Sequence, residues 1–303
     1  MVSRESIAGR PALSDRSAGV ALQGWSMGGL WTLYLLTLRQ YLHGRRWMVM
    51  GLLFLVPAAL AVVVRATAPN VPSQALEFML AMMFIPQGLL PLTALLYASG
   101  MIQDEQEEQT LTYLLIRPIP KWALYLIKLA ATLTTTIALA TLLTSLTFAA
   151  IYVGAVDAPD DVLARCFKAA AIHSLGVGAY CCLFGMMSLI VKRVLVIGIV
   201  YTAVIEGLVA NMPFGIRLAT VIYYCRLIAY RVLDYHIDTP GGRVVDMAAE
   251  AWQLEVKRDP GLTEHPELGT CILVLLVASG VCAILAAWIC TRREFHVKTP
   301  EKG

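Results

Sequence analysis

Asp104-Glu105-Gln106-Glu107-Glu108-Gln109-Thr110-Leu111-Thr112-Tyr113-Leu114-Leu115-Ile116-Arg117-Pro118-Ile119-Pro120-Lys121 is a polar island between two apolar runs, Phe78 to Met101 and Leu124 to Val153. Each run can cross a bilayer, whose hydrocarbon core takes about 20 apolar residues as a helix. A charged island between two such runs is a loop joining membrane spans. Four further windows have the same character: Trp47 to Val64, Ala169 to Val191, Val194 to Met212 and Gly269 to Cys290. The expected fold is therefore an all-α integral membrane protein with six transmembrane helices. Leu124 to Val153 exceeds one bilayer crossing, which predicts tilt, a kink or extension beyond the lipid.

The bulk composition agrees with this reading. The 303 residues are 58% hydrophobic and only 15% charged, with a mean hydropathy of +0.68, far more apolar than a soluble domain. The net charge of +3 needs no nucleic acid to explain it, because the basic residues cluster beside the spans. The seven cysteines form no C-x-x-C pair, and Cys181, Cys182, Cys282 and Cys290 lie inside apolar runs. There a free thiol serves as a small hydrophobe; a disulfide among Cys166, Cys225 and Cys271 is the alternative.

Orientation follows from the basic residues. Arg39, Arg45, Arg46, Arg117, Lys121, Lys192, Arg193, Arg292, Arg293 and Lys298 fall on one side of a six-span threading, against Arg65, Arg165 and Lys168 in the short loops of the other. The positive-inside rule places both termini in the cytoplasm. Residues 1–21, with Arg4, Glu5, Arg10, Asp15 and Arg16 and no apolar core, are no signal peptide and are expected to form a disordered cytoplasmic tail. The tail 291–303 is cytoplasmic as well.

Two segments lie outside the main spans at 47–212 and 269–290. Over 22–46, Leu30, Leu33, Tyr34, Leu38, Tyr41 and Leu42 recur at helical spacing before His43-Gly44-Arg45-Arg46. This predicts an interfacial amphipathic helix, the alternative being a seventh span from near Ala21. The extracytoplasmic loop 213–268 carries Ile216, Leu218, Val221, Ile222, Leu227, Ile228, Val232 and Leu233 between Arg217, Arg226 and Arg231. It predicts an amphipathic helix at or dipping into the outer interface, since three arginines oppose a full span. A second short helix is expected from Val244 to Val256, after the turn at Gly241-Gly242.

Candidate chemistry is sparse. No glycine-rich phosphate loop ending in Gly-Lys-Ser or Gly-Lys-Thr occurs, so ATP would have to be hydrolysed elsewhere. No catalytic residue and no metal-ligand set is identifiable, and the five histidines are scattered. Asp161-Val162-Leu163-Ala164-Arg165 resembles the opening of a phospholipid head-group transferase signature but lacks its later aspartates. His173 reads as a packing histidine. Glu206 is a carboxylate inside span five without a basic neighbour one helical turn away. It lines a translocation path or makes an interhelix hydrogen bond.

The island itself has a physical reading. Asp104, Glu105, Glu107 and Glu108 crowd one helical surface with like charge, Leu111, Leu114 and Leu115 follow at helical spacing, and Pro118 and Pro120 end the helix. It is either a solvated loop or a surface awaiting a basic partner. Its order of Glu107 or Glu108, Thr110-Leu111, Leu114-Leu115, Arg117-Pro118-Ile119 and Lys121 resembles the first cytoplasmic loop of ABC-2 type transporter permeases, the membrane subunits of ATP-driven exporters. Gln109 departs from that pattern, which commonly has glycine before the threonine. The likeness extends loosely to the whole chain through its six spans, its large outer loop and the ending Arg292-Arg293-Glu294-Phe295.

That resemblance implies a coupling helix at 102–117, with Asp104, Glu105, Glu107, Glu108, Thr110, Leu111, Leu114 and Arg117 docking an ATP-binding subunit present in two copies. It also implies a second permease copy, ATP and Mg bound only in the partner, and residence in the inner (cytoplasmic) membrane. An extracytoplasmic partner at 213–268 is a further candidate. The competing reading is a membrane scaffold or maturation factor that transports nothing.

Overall fold

A computed structural model describes residues 27–107, 120–212, 215–238, 244–252 and 265–292. Among them, six helical segments are long and apolar enough to cross a membrane: Arg46–Thr67, Ser73–Met101, Lys121–Tyr152, Val162–Ile190, Val194–Asn211 and Leu268–Arg292. These are the six windows expected; all but span five start earlier than the apolar run, and only spans one and six also end later.

Chain order begins with α1 (Met27–His43) and α2 (Arg45–Thr67), the latter being span one. Span two consists of α3 (Ser73–Leu76), a π-helix from Glu77 to Leu89, and α4 (Leu90–Glu107). Pro86 lies within the π segment, where a wider backbone register accommodates a residue that cannot donate to the ordinary helical ladder. Helices α5 (Lys121–Tyr152) and α6 (Val162–Ile190) are spans three and four. Span five is broken into α7 (Val194–Tyr201), a π-helix over Thr202–Leu208 and a 3-10 turn over Val209–Asn211. After a 3-10 turn at Gly215–Ala219 comes α8 (Val221–Val232), and α10 (Leu268–Arg292) is span six.

Helix α6 is the hub, touching α4, α5, α8 and α10. Two glycines permit that closeness. A Cβ on Gly176 would meet Cys225 Sγ of α8 at 3.0 Å, and one on Gly185 would meet the Tyr125 hydroxyl of α5 at 2.9 Å. Small residues where helix backbones approach are the usual device for packing inside lipid, where burial of apolar surface supplies no driving force. Spans two and four bury most of their central residues, while spans five and six bury few.

The buried threonines of α5 keep their polarity within the helix. Thr132, Thr135, Thr136 and Thr147 each donate at 2.9 Å to the carbonyl one turn back. These four hydroxyl hydrogens are thereby kept from facing hydrocarbon unpaired. Helix α1 lies against α5 with a stripe of Leu33, Thr37 and Tyr41 at one-turn spacing, all buried. The Tyr34 hydroxyl donates to Thr134 Oγ1 at 3.0 Å, and the Tyr41 hydroxyl lies 3.2 Å from Thr132 Oγ1. Trp31, Leu35 and Leu36 are exposed on the rest of the helix.

Two features of the segment after span five differ from the sequence expectation. Helix α8 is covered on nearly all sides, with Ile222, Tyr223, Tyr224, Cys225, Arg226, Leu227, Ile228 and Ala229 buried between α6 and α10. It is tucked into the bundle end instead of resting one face on an interface. The helix expected from Val244 starts later: Val244–Asp246 pairs antiparallel with His236–Asp238 as a two-stranded ribbon. Asp246 Oδ1 then accepts from the amides of Ala248 and Ala249 at 3.0 and 3.1 Å, so this N-cap opens α9 (Met247–Ala251). Beneath this cap Phe78 stacks obliquely between Tyr235 and Trp252, with ring centroids 5.2 and 5.0 Å away. All seven cysteines are free thiols.

Candidate functional site

The acidic island begins as a continuation of span two. Helix α4 runs through Asp104, Glu105 and Glu107, so these three residues extend the span past its apolar end at Met101. Their side chains, and the whole of Glu108, Thr110, Leu111, Leu114 and Arg117, lie outside the described residues. Where the chain resumes, Pro120 precedes the first turn of α5 and its carbonyl accepts from the amides of Ala123 and Leu124 at 3.0 and 3.1 Å. At the base of the island Lys128 is buried, and its ammonium donates to the Met101 carbonyl at 3.1 Å. The bond gives a buried ammonium an acceptor where no water is at hand. It also fastens span three to the point where the island starts.

At the opposite end of the bundle sits a buried charge cluster that the hydropathy windows hid. Glu77 and Arg165, 0% and 5% exposed, form an ion pair in which Arg165 Nη2 donates to Glu77 Oε1 at 2.9 Å and Nε donates to Oε2 at 3.0 Å. This two-point fork is the strong geometry for guanidinium and carboxylate. Tyr235 donates its hydroxyl to Glu77 Oε1 at 2.8 Å, and Tyr152 donates to Oε2. Arg165 also donates to the Asp234 carbonyl at 3.2 Å and lies over the Tyr235 ring, 5.0 Å from its centroid. Burial and the neighbouring Glu77 charge raise the Tyr235 hydroxyl well above the ordinary range. Spans two, three and four and the segment after α8 thus meet at one carboxylate.

Beside it lies a second, more open cluster. Arg65 donates from Nε and Nη2 to the Ile151 carbonyl at 3.1 and 2.9 Å and also reaches Ser73 Oγ. Ser73 gives its amide and hydroxyl to Asp157 at 2.6 and 2.5 Å. Partial burial acts to raise Asp157, but these Ser73 bonds and the Arg65 charge outweigh it and hold the carboxyl below its usual range. A cavity of about 710 Å³ opens here among Val62, Arg65, Val71, Pro72, Ala150 and Asp157.

Glu206 does not line that cavity. It is fully buried, and its carboxylate accepts four hydrogen bonds: from Tyr180 at 2.8 Å, Tyr201 at 3.1 Å, and the amides of Val221 and Ile222 at 3.1 and 3.0 Å. The Tyr180 bond is an interhelix hydrogen bond between spans four and five. His173 is also buried, with Nδ1 2.8 Å from Thr144 Oγ1. Among the described residues no three or more of His, Cys, Asp and Glu come together as a group that could hold a metal ion.

Sequence reading passed over Glu77 because it stands one residue before the apolar run at Phe78, and Arg165 because its window opens at Ala169. The available signal was their opposite sign at the same end of two spans.

The family model described as ABC-2 family transporter protein matches residues 43–215, more than half of the chain. No curated protein matches the chain. The matched stretch runs from the entry into span one, through the acidic island and both buried carboxylates, to the end of span five. The protein is a multi-pass membrane component, and it belongs to the ABC-2 family of transporters.

Proposed function

We propose that this chain is the permease subunit through which a separate ATP-binding subunit drives a substrate outward across the inner membrane. The observation that carries this reading is the family match together with an acidic helical extension of span two, Asp104 to Glu107, leading into the rest of the 102–117 loop. In this reading 102–117 is a coupling helix seated in a basic cleft of the ATP-binding subunit. Glu108, Thr110, Leu111, Leu114 and Arg117 complete the contact. Two permease copies pair with two ATP-binding subunits, and ATP and Mg stay in the latter. Closure of the ATP-binding dimer pushes on the island, and Lys128, joined to Met101, passes the displacement to spans two and three together. Helix α1 lies in the cytoplasmic interface, and both termini are cytoplasmic.

Co-expression with an ATP-binding subunit encoded beside this chain is expected to yield a stable complex with equal copies of each on purification. Recovery of the chain alone, at protein concentrations above a micromolar, would count against the proposal. Topology gives an independent check. A cysteine introduced as Gly242→Cys is expected to react with an impermeant maleimide on intact cells stripped of their outer barrier, and Gln106→Cys only after permeabilisation. The reverse pattern would turn the permease over and remove the docking argument.

A further inference from the structure

Helix α8 has no cap of its own. Its N-cap residue, Thr220, makes no side-chain bond to the following amides, and its hydroxyl donates to the Arg217 carbonyl at 2.7 Å. The first amides of the helix, Val221 and Ile222, are instead received by Glu206 of span five. A carboxylate at a helix N-terminus is favoured by the local dipole, and here it is fully buried and also bonded to Tyr180 and Tyr201. The other end of α8 meets cations: Lys168 donates to the Val232 carbonyl at 3.2 Å and Arg165 to the Asp234 carbonyl at 3.2 Å. Both of those cations belong to span four. The helix is therefore held at its two ends by groups of opposite charge on two different spans.

The two holders differ in firmness. Span four is the packed hub, and its Arg165 is locked by Glu77 and stacked on Tyr235. Span five buries few of its residues against the rest of the chain, and its helix changes register from α to π to 3-10 around Glu206. One further link joins it to α8: Arg226 donates to Asn211 at 2.8 Å and to Gln87 of span two at 3.1 Å.

We propose that Glu206 is a joint, a positioning residue through which movement of span five swings the N-terminal end of α8 about its fixed C-terminal end. The inference rests on the permease reading, since it assigns α8 a movement in the ATP cycle. Each element has its part: span four anchors, span five moves, and α8 opens or closes the far end of the bundle.

Hydrogen exchange of the α8 amides tests this on the full chain, alone and in complex with its ATP-binding subunit. In the chain alone, Glu206→Gln removes one of the two acceptor oxygens and turns a donor toward the amides. Exchange of peptides containing Val221 and Ile222 is expected to quicken about 10- to 100-fold, with the Leu227–Val232 end little changed. Tyr180→Phe removes one donor yet leaves the amides held, and should change these rates much less. In the wild-type complex, trapping the ATP-bound state is expected to alter exchange at Val221 and Ile222, and Glu206→Gln should erase that nucleotide dependence. A merely structural cap would not respond to nucleotide at all. Equal α8 exchange in wild type and Glu206→Gln would overturn the clamp. Equal exchange in every nucleotide state of a complex that still hydrolyses ATP would overturn the joint and leave the permease reading standing. Failure of any complex to form would sink the permease reading and the joint with it, while the isolated chain would still decide the clamp.

Discussion

Replacing Arg165 with methionine is expected to destabilise the chain by about 3–5 kcal/mol, the range found when one partner of a buried ion pair is removed. The substitution roughly keeps side-chain length but leaves the Glu77 carboxyl fully buried with only two tyrosine hydroxyls as donors. Its four-donor cradle loses both guanidinium bonds. The segment after α8 loses its hold on the Asp234 carbonyl as well. The double variant Glu77→Leu with Arg165→Met should be milder than the sum of the single changes, because no uncompensated charge then remains. Thermal melting of the detergent-purified chain, followed by intrinsic tryptophan fluorescence, reads all three. Trp252 is a useful reporter, since it stacks on Phe78 next to Glu77. An Arg165→Met chain melting within a degree of wild type would show that this cluster does not hold the bundle end.

The second large effect is expected at the other end of the molecule. Reversing charge with Glu107→Lys and Glu108→Lys together should weaken binding of the ATP-binding subunit more than about 100-fold, since juxtaposed like charges cost several kcal/mol and every 1.4 is a factor of ten. Stability of the isolated chain should not change, because the island carries a surplus of like charge that the substitution relieves. Affinity measured at two salt concentrations separates the causes: an electrostatic dock weakens with salt in the wild type. A double variant that binds as tightly as wild type would reduce the island to a solvated loop.

The spans were legible because one property, a run of about 20 apolar residues, is both necessary for crossing lipid and visible in sequence. The chemistry was not, and the reason is specific. Glu77 and Arg165 lie at the margins of their windows, where a charge reads as a loop residue, and their meeting depends on how spans two and four pack. The periodicity of Ile216 to Leu233 showed that a helix could form. It did not show that α6 and α10 cover both of its sides, nor that Arg226 finds Asn211 and Gln87 inside the protein. Glu206 was recognised as anomalous from its lone charge. Its partners, two tyrosines and two backbone amides, have no sequence signature, because backbone donors are carried by every residue except proline. The strand at Val244–Asp246 escaped notice for a simpler reason: three residues are too few to establish a period.

Span three is the single span among the six without a proline or glycine; the others carry Gly51 and Pro57, Pro86 and Gly88, Gly176 and Gly185, Gly198 and Gly207, or Gly269 and Gly280. Its 32 residues make a rod about 48 Å long at 1.5 Å per residue. One tip starts at Pro120, beside the acidic island, and the other is Tyr152, whose hydroxyl is bonded to Glu77. Helix α6 holds this rod from Tyr125, beside Gly185, to Thr144, bonded to His173, so in the permease reading a push at the Lys121 tip is carried along its length towards Tyr152 and Glu77.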